Sequence, residues 1–176
     1  GNILQVGNYI FRAIVTPGHT KGHTCLYEPN RKILISGDHI LYDITPSIIC
    51  WDDNENRLKD YISSLDWVYD MDVELVLPGH RSVFTDFRNR IEEIKHHHNN
   101  RGSDVAAILE GGALSVVQIA AKMKWDNKCE SWESFPKTQK WFATGEAMAH
   151  LRYMEEEGRV VAKKAEGNLF FDLAGR

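Results

Sequence analysis

The chain has 176 residues, of which 43% are hydrophobic and 26% are charged. That composition is typical of a globular protein with enough apolar material for one ordinary domain or two small ones. The formal net charge of −4 provides no overall attraction for nucleic acid or for an anionic membrane. The sequence contains no apolar run near the roughly 18 residues that span a bilayer, so we expect a cytoplasmic protein.

The first part of the chain predicts four strands, each a short run rich in β-branched or other apolar residues that stops at a turn. These strands are predicted at 8–15, 23–27, 32–36 and 73–77. Pro-Gly pairs follow the first and the last strand, and Gly37 with Asp38 follows the third. Between the third and fourth strands, apolar residues at helical spacing predict a helix over 56–71.

The second part of the chain changes character, because its apolar residues recur at steps of three and four. Three helices and a hairpin are predicted, at 84–110, 115–124 and 137–157, with strands at 159–162 and 168–173. Ser115 and Gln118 form a capping box at the start of the second helix. Three helices followed by a hairpin are the order of a winged-helix module, so we predict two domains, at 1–85 and 86–176.

Three loops place a residue that can bind a metal directly after an apolar strand and a glycine. They are VTPGH ending at His19, ISGD ending at Asp38 and LPGH ending at His80. Strand ends hold side chains in fixed positions while the loop keeps them accessible. Two imidazoles and a carboxylate can bind zinc, manganese or iron, and the carboxylate can bridge two ions. One such loop is weak evidence, but three in one short segment favour a shared metal site.

In the order TPGHTKGHT, LISGDHIL and LVLPGH, these motifs resemble the second half of the metallo-β-lactamase superfamily, in the branch that includes glyoxalase II. The resemblance covers about residues 5–80. It implies an α/β (α+β) fold class, in which the second half of an αββα sandwich is followed here by a mainly helical, winged-helix-like domain.

The resemblance also implies the roles of the site residues. His19 would bind one zinc ion, His80 would bind a second, and Asp38 would bridge both ions and help to orient the nucleophile. Iron or manganese are alternatives to zinc. His23 is implied to be a residue that packs or hydrogen-bonds nearby without binding metal, so the opening motif contains one ligand.

The ligands that this superfamily takes from its first half have no counterpart in the sequence. Its His-x-His-x-Asp-His motif is absent, since no histidine precedes His19. The chain thus resembles the C-terminal half of an enzyme, and we expect this fragment alone to be inactive and to hold metal weakly or not at all. Apolar sheet surface that the missing half would cover is expected to favour a homo-oligomer.

For the intact enzyme, the resemblance implies hydrolysis of small thioesters or esters by a metal-activated hydroxide. Two alternatives are a nucleic-acid-processing, RNase-like member of the same superfamily and a non-catalytic interaction protein. Residues 101–176 carry eleven Lys plus Arg and eleven Asp plus Glu, so the second domain lacks the excess of basic charge typical of phosphate binding. We therefore expect a small-molecule substrate and no membrane partner, and we favour the small molecule over nucleic acid, which stays an alternative.

Other residues are candidate binding groups. His98 and Arg101 continue an apolar helical seam, which predicts that they face inward. They could contact a bound anionic group, or they could form a hydrogen-bond network between the domains, which we favour. Packing is the expected role of Trp125, Trp132 and Trp141. The three cysteines, Cys25, Cys50 and Cys129, have no metal-site spacing and are expected to be reduced.

Overall fold

A computed structural model describes residues 2–52, 55–126, 129–165 and 167–175. It has the mixed α/β class that the sequence predicted, with four helices and two sheets in these ranges. The chain folds into two compact units, formed by Gly1–Ser47 with Lys59–His97 and by Ile48–Leu58 with His98–Arg176. The division into domains at 1–85 and 86–176 stays a prediction. No helix in the described ranges combines the length and hydropathy of a membrane span.

The first unit is built on a five-stranded sheet in the order β1-β2-β3-β4-β5. Its strands are β1 (Ile3–Val6), β2 (Tyr9–Val15), β3 (Thr24–Glu28), β4 (Ile33–Gly37) and β5 (Leu75–Pro78). Every neighbouring pair is antiparallel except β4 with β5, which is parallel. The carboxyl ends of β2, β4 and β5 therefore lie along the same edge of the sheet.

Helix α1 (Arg57–Tyr69) connects β4 to the parallel strand β5 and lies against the loop after β2. Its apolar side Leu58, Tyr61, Leu65 and Val68 is fully or almost fully buried. The Ser64 hydroxyl donates a hydrogen bond to the Pro17 carbonyl at 2.8 Å. These contacts fix the start of the loop that carries His19.

The second unit contains a three-stranded sheet and the helices that cover it. Its elements include α2 (Phe87–Leu109), which starts in the first unit, then β6 (Leu114–Ser115), α3 (Val116–Lys122), α4 (Lys137–Glu156), β7 (Val160–Ala165) and β8 (Asn168–Leu173). The strand order is β6-β8-β7. The apolar core includes Val105, Ile119, Leu151 and Phe171, none of them exposed to solvent. The predicted order of three helices and a hairpin is confirmed, and β6 is an addition.

Local signals placed most element boundaries correctly. The capping box of α3 is present, with the Ser115 hydroxyl accepting from the Gln118 amide and the Gln118 side chain accepting from the Ser115 amide. The strand predicted at 159–162 was placed too short, because Lys163 to Ala165 also pair with β8 and extend β7. Glu166, between the two predicted strands, lies outside the described residues.

Strand β1 was missed by the sequence interpretation. It forms a hairpin with β2 in which Val6 faces Tyr9, so Gly7 and Asn8 make a two-residue turn. Gly7 has a φ of 57°, which a glycine adopts without steric cost. The Gly-Asn pair between two apolar runs was the signal for this hairpin.

Gly18 makes the closest approach between α1 and the loop after β2. Its φ is 140°, and a Cβ built on it would lie 2.4 Å from the Tyr61 Cβ and 2.6 Å from the Tyr61 Cα. A side chain at this position is therefore excluded both by the backbone conformation and by the helix behind it.

We expect Gly18→Ala to lower the free energy of unfolding by on the order of 3 kcal/mol, because the Cβ has no room and the φ is strained. Gly22→Ala is the matched control, since a Cβ there meets no atom within 4 Å. Chemical denaturation of both variants measures the difference. Equal stability of the two would contradict the close packing at Gly18.

Candidate metal-binding site

The three residues singled out in the sequence lie at one edge of the first unit's sheet. His19 follows β2, Asp38 follows β4 and His80 follows β5, all at carboxyl ends. The backbone amide of Gly79 donates to the Gly37 carbonyl at 2.8 Å, which joins the last two loops. The sheet thus places on neighbouring loops three side chains that are up to 61 residues apart in the sequence, from His19 to His80.

Asp38 lies between the two histidines, and each of its carboxylate oxygens faces a different ring. The His19 Nε2 atom is 3.7 Å from Asp38 Oδ2, and the His80 Nε2 atom is 3.4 Å from Asp38 Oδ1. The side chains of His19 and Asp38 are each 30% exposed, and that of His80 is 66% exposed. The group is therefore open to a solute from one side.

A backbone carbonyl fixes the orientation of the His19 ring. The His19 Nδ1 atom lies 3.0 Å from the Ser47 carbonyl oxygen. A carbonyl can only accept, so Nδ1 must carry the proton and donate it. In the neutral ring, Nε2 then presents its lone pair beside Asp38. Metal-binding histidines commonly have this arrangement, in which the second nitrogen donates to a carbonyl.

Gly79 makes room for the Asp38 carboxylate. A Cβ built on Gly79 would lie 2.7 Å from Asp38 Oδ1 and 3.2 Å from the Gly37 carbonyl carbon. Any side chain at position 79 would therefore displace the carboxylate or the loop that carries it. The glycine in the LPGH motif is explained by this close approach.

The His23 ring holds the backbone of Asp38 through a hydrogen bond. The Asp38 amide donates to His23 Nε2 at 3.2 Å, and His23 Nδ1 lies 2.8 Å from the Thr16 hydroxyl oxygen. Burial lowers the pKa of His23, and the neighbouring His19 lowers it further, against an opposing effect of Asp38. His23 thus hydrogen-bonds near the site through both ring nitrogens, as the resemblance implied.

The donor atoms are of the kinds that bind a divalent cation. Asp38 Oδ1 is buried and accepts no hydrogen bond from the described residues, although a desolvated carboxylate oxygen needs a hydrogen-bond donor or a cation. Two donors bound to one tetrahedral zinc at about 2.1 Å are about 3.4 Å apart, close to the two measured separations. Across the described ranges, no group of three or more His, Cys, Asp or Glu side chains is arranged so that it could hold a metal ion, so His19, Asp38 and His80 as placed do not form a complete site.

The structure adds residues that the sequence interpretation did not assign. Thr16 is fully buried at the end of β2, and a polar residue in an apolar strand was the available signal. The Ser47 carbonyl gave no signal, because any residue supplies a backbone oxygen. Cys25 and Cys50 are buried free thiols, as the expectation of reduced cysteines requires.

In the second unit, His98 and Arg101 are buried as predicted. Arg101 donates to the Lys124 carbonyl and pairs with Glu146 at 3.1 Å, and its guanidinium lies 4.2 Å from the centre of the Trp125 ring. These contacts lie within one unit, so the network around Arg101 is internal to it. Trp125 packs as predicted, whereas Trp141 is 48% exposed and stacks on Trp51.

Sequence comparisons match the half of the chain that holds the three residues. Residues 9–80 match the family model described as Metallo-beta-lactamase superfamily. The acyl-coenzyme A thioesterase MBLAC2 of Homo sapiens is 35% identical over 88 residues, which are 48% of this chain and 30% of that protein. The beta-lactamase-like protein 2 homolog of Drosophila melanogaster is 27% identical over 166 residues, or 91% of this chain and 50% of that protein. The chain thus spans half or less of these relatives.

Solved structures extend the similarity to nearly the whole chain. A beta-lactamase domain protein from Burkholderia ambifaria has a TM-score of 0.89 and 28% identity, covering 99% of this chain and 51% of that one. A metallo-beta-lactamase family protein from Thermus thermophilus has a TM-score of 0.81 and 31% identity, covering 98% and 52%. These findings confirm the resemblance to the metallo-β-lactamase superfamily and the mixed α/β fold class, while the glyoxalase II-like branch and the winged-helix-like domain stay predictions.

His39, the residue after Asp38, is fully buried. Its ring centre lies 5.8 Å from that of His23 and 5.3 Å from that of Tyr61. Burial, together with the neighbouring His23, lowers the pKa of His39 to about 3. The folded protein therefore keeps this ring neutral in a pH range where the unfolded chain protonates it.

We expect acid to destabilise the fold through His39. Unfolding takes up a proton below the ordinary histidine pKa of about 6.5, so stability is lost as the pH falls from there toward 3. From pH 6.5 to 5, the loss from this group is about 1.5 kcal/mol. Denaturation at pH 6.5 and pH 5 measures this loss. The free energy of unfolding of His39→Gln, whose side chain does not titrate, should fall by about 1.5 kcal/mol less than that of the natural protein. The same pH dependence in both proteins would show that His39 is not held neutral.

Proposed function

We propose that this chain, whose residues 9–80 match the family model of the metallo-beta-lactamase superfamily, is part of a metal-dependent hydrolase that cleaves a small thioester. The observation that carries the proposal is the position of Asp38 between two imidazole nitrogens, with one carboxylate oxygen toward each. That arrangement suits a carboxylate that bridges two cations, and a purely structural aspartate has no need of it.

Each residue of the trio would have a distinct part in holding the ions. His19 and His80 would each help to hold one ion, and Asp38 would help to hold both. The Ser47 carbonyl would keep the His19 ring in the tautomer whose Nε2 can bind. Bound there, divalent cations would lower the pKa of water and polarise the substrate carbonyl. Zinc is the proposed metal, because nitrogen and carboxylate donors suit it.

The choice of a thioester rests on the relatives. The human protein that matches 88 residues of this chain at 35% identity is named an acyl-coenzyme A thioesterase. Hydrolysis of a thioester breaks the bond from the acyl carbon to sulfur and yields a carboxylate and a thiol. The glyoxalase II-like branch and an ester substrate stay predictions.

A small molecule is the proposed substrate, because the charge of the second unit gives no support for nucleic acid. Its region from 101 to 176 is neutral overall, and α4 ends beside three consecutive glutamates, 155–157. Those carboxylates would repel a phosphate backbone. The non-catalytic alternative, a winged-helix role for this unit and a cytoplasmic location likewise stay predictions.

Self-association is proposed through the outer hairpin of the first unit. β1 is at the edge of the sheet, and apolar side chains on β1 and β2 face solvent. The most exposed are Ile3 at 71%, Val15 at 62% and Val6 at 54%. An uncovered apolar strand edge of this kind supports pairing with a second copy or with another segment of the same protein.

We expect Asp38→Asn, in the protein that carries this chain, to reduce thioester hydrolysis by on the order of 100-fold or more, because the amide loses the charge that holds two cations. Thiol release from an acyl-coenzyme A measures the rate, and elemental analysis measures the bound zinc. Both should fall together.

Asp43→Asn is the matched control for this variant. Asp43 lies in the same loop, is 52% exposed, and has a carboxylate oxygen 3.7 Å from Arg81 Nε. It should retain the zinc content and the hydrolysis rate of the natural protein. Full activity in Asp38→Asn would rule out the proposed metal site.

A further inference from the structure

A buried chain of hydrogen bonds runs beneath the turn that carries Asp38. Its members are the Asp38 amide, His23, Thr16, Cys25 and the Ser36 carbonyl. We propose that His23 and Thr16 are positioning residues that set the place of the Asp38 carboxylate for metal binding. This inference deepens the proposed function and rests on it.

The direction of every bond in the chain follows from its ends. The Asp38 amide can only donate, so His23 Nε2 accepts, and the neutral ring then carries its proton on Nδ1. Nδ1 donates to Thr16 Oγ1 at 2.8 Å, which leaves the Thr16 proton to point at Cys25 Sγ, 3.3 Å away. The Cys25 thiol in turn donates to the Ser36 carbonyl at 3.5 Å.

Because these groups are buried, each hydrogen bond keeps its donor and acceptor. Thr16, Cys25 and Ser36 have no exposed surface, so no water competes for their bonds. Burial raises the pKa of the Cys25 thiol to about 11, which keeps its proton in place at neutral pH. A reversed His23 tautomer would bring two protons together at the Asp38 amide, and the chain therefore selects one tautomer.

The chain begins and ends on the same turn. It leaves from Asp38 and returns to Ser36, so Gly37 is held from both sides. Gly37 has a φ of 51°, and a Cβ there would lie 2.9 Å from His23 Nε2. Glycine at 37 thus lets the imidazole reach the Asp38 amide. The result is a fixed Cα position for Asp38.

The position of that Cα matters because Asp38 must meet two histidines at once. Its oxygens lie 3.7 Å from one ring and 3.4 Å from the other, so a shift toward one histidine is a shift away from its partner. Loss of groups that orient metal ligands typically reduces metal affinity 10- to 100-fold. His23 and Thr16 would contribute in this indirect way, without touching the metal.

Two substitutions of His23 separate its two hydrogen bonds. In His23→Gln the amide oxygen can take the place of Nε2 and still accept from Asp38. In His23→Asn the shorter amide reaches only the place of Nδ1, so the bond to Thr16 is retained and the bond to Asp38 is lost. Thr16→Val removes the hydroxyl with little change in shape, and tests the far side of the ring.

We expect His23→Asn to weaken zinc binding by about 10- to 100-fold, and His23→Gln by only a few-fold. Thr16→Val should be intermediate. Competition with a chromophoric chelator measures the zinc affinity of the protein that contains this 176-residue sequence. Hydrogen exchange of the Asp38 amide without metal is the second measurement: it should be fast in His23→Asn and slow in the natural protein and His23→Gln.

His96→Asn is the control, because it makes the same replacement at an exposed position on α2. It should change neither the zinc affinity nor the exchange.

Equal zinc affinity in His23→Gln and His23→Asn would overturn the inference, as would an Asp38 amide equally protected in both. If the natural protein and Asp38→Asn bind zinc alike, the proposed function fails instead, and the exchange measurement alone decides whether His23 positions Asp38. If His23→Asn does not fold, zinc affinity unchanged in Thr16→Val overturns the inference.

Discussion

The parallel pairing of β4 with β5 is the constraint on which the candidate site depends. It sets Gly37 opposite Pro78, and the Gly79 amide continues the pairing to the Gly37 carbonyl. Parallel neighbours require a crossover connection, which α1 provides, and that crossover brings both strands to the same edge. A slip of one residue would turn the side chains to the opposite face and separate Asp38 from His80. The sheet register thus determines which oxygen faces which histidine.

Packing at this edge explains why the three motifs contain glycine. Gly18 allows α1 to approach, Gly37 allows the His23 ring to reach the turn, and Gly79 leaves space for the carboxylate. Each would place a Cβ within 3 Å of another atom. The same feature that marks a turn in the sequence therefore acts in the folded protein as a space for a functional group. Replacing any of these glycines would therefore displace the loops that carry the site residues.

The sequence was sufficient to predict the loops but not their connections. An apolar run followed by glycine is a local pattern, so the strand ends at His19, Asp38 and His80 were predictable. The bond from the Asp38 amide to His23 was not, because it depends on the register of β2, β3 and β4 together. Thr16 and His23 face each other only because the Thr16 amide pairs with the His23 carbonyl at 2.8 Å. Long-range register of this kind leaves no trace in composition or spacing.

Buried charged groups have different surroundings in the two units. In the second unit, Arg101 donates to Glu146 and to the Lys124 carbonyl and stacks on Trp125, while its Nε atom is buried without a hydrogen-bond partner among the described residues. Burial raises the pKa of Glu146, and the ion pair with Arg101 lowers it. Asp38 has a different arrangement: its backbone is firmly held, while Oδ1 is buried and accepts no hydrogen bond from the described residues. A carboxylate positioned by so many groups, yet not satisfied by them, is suited to a cation from solution.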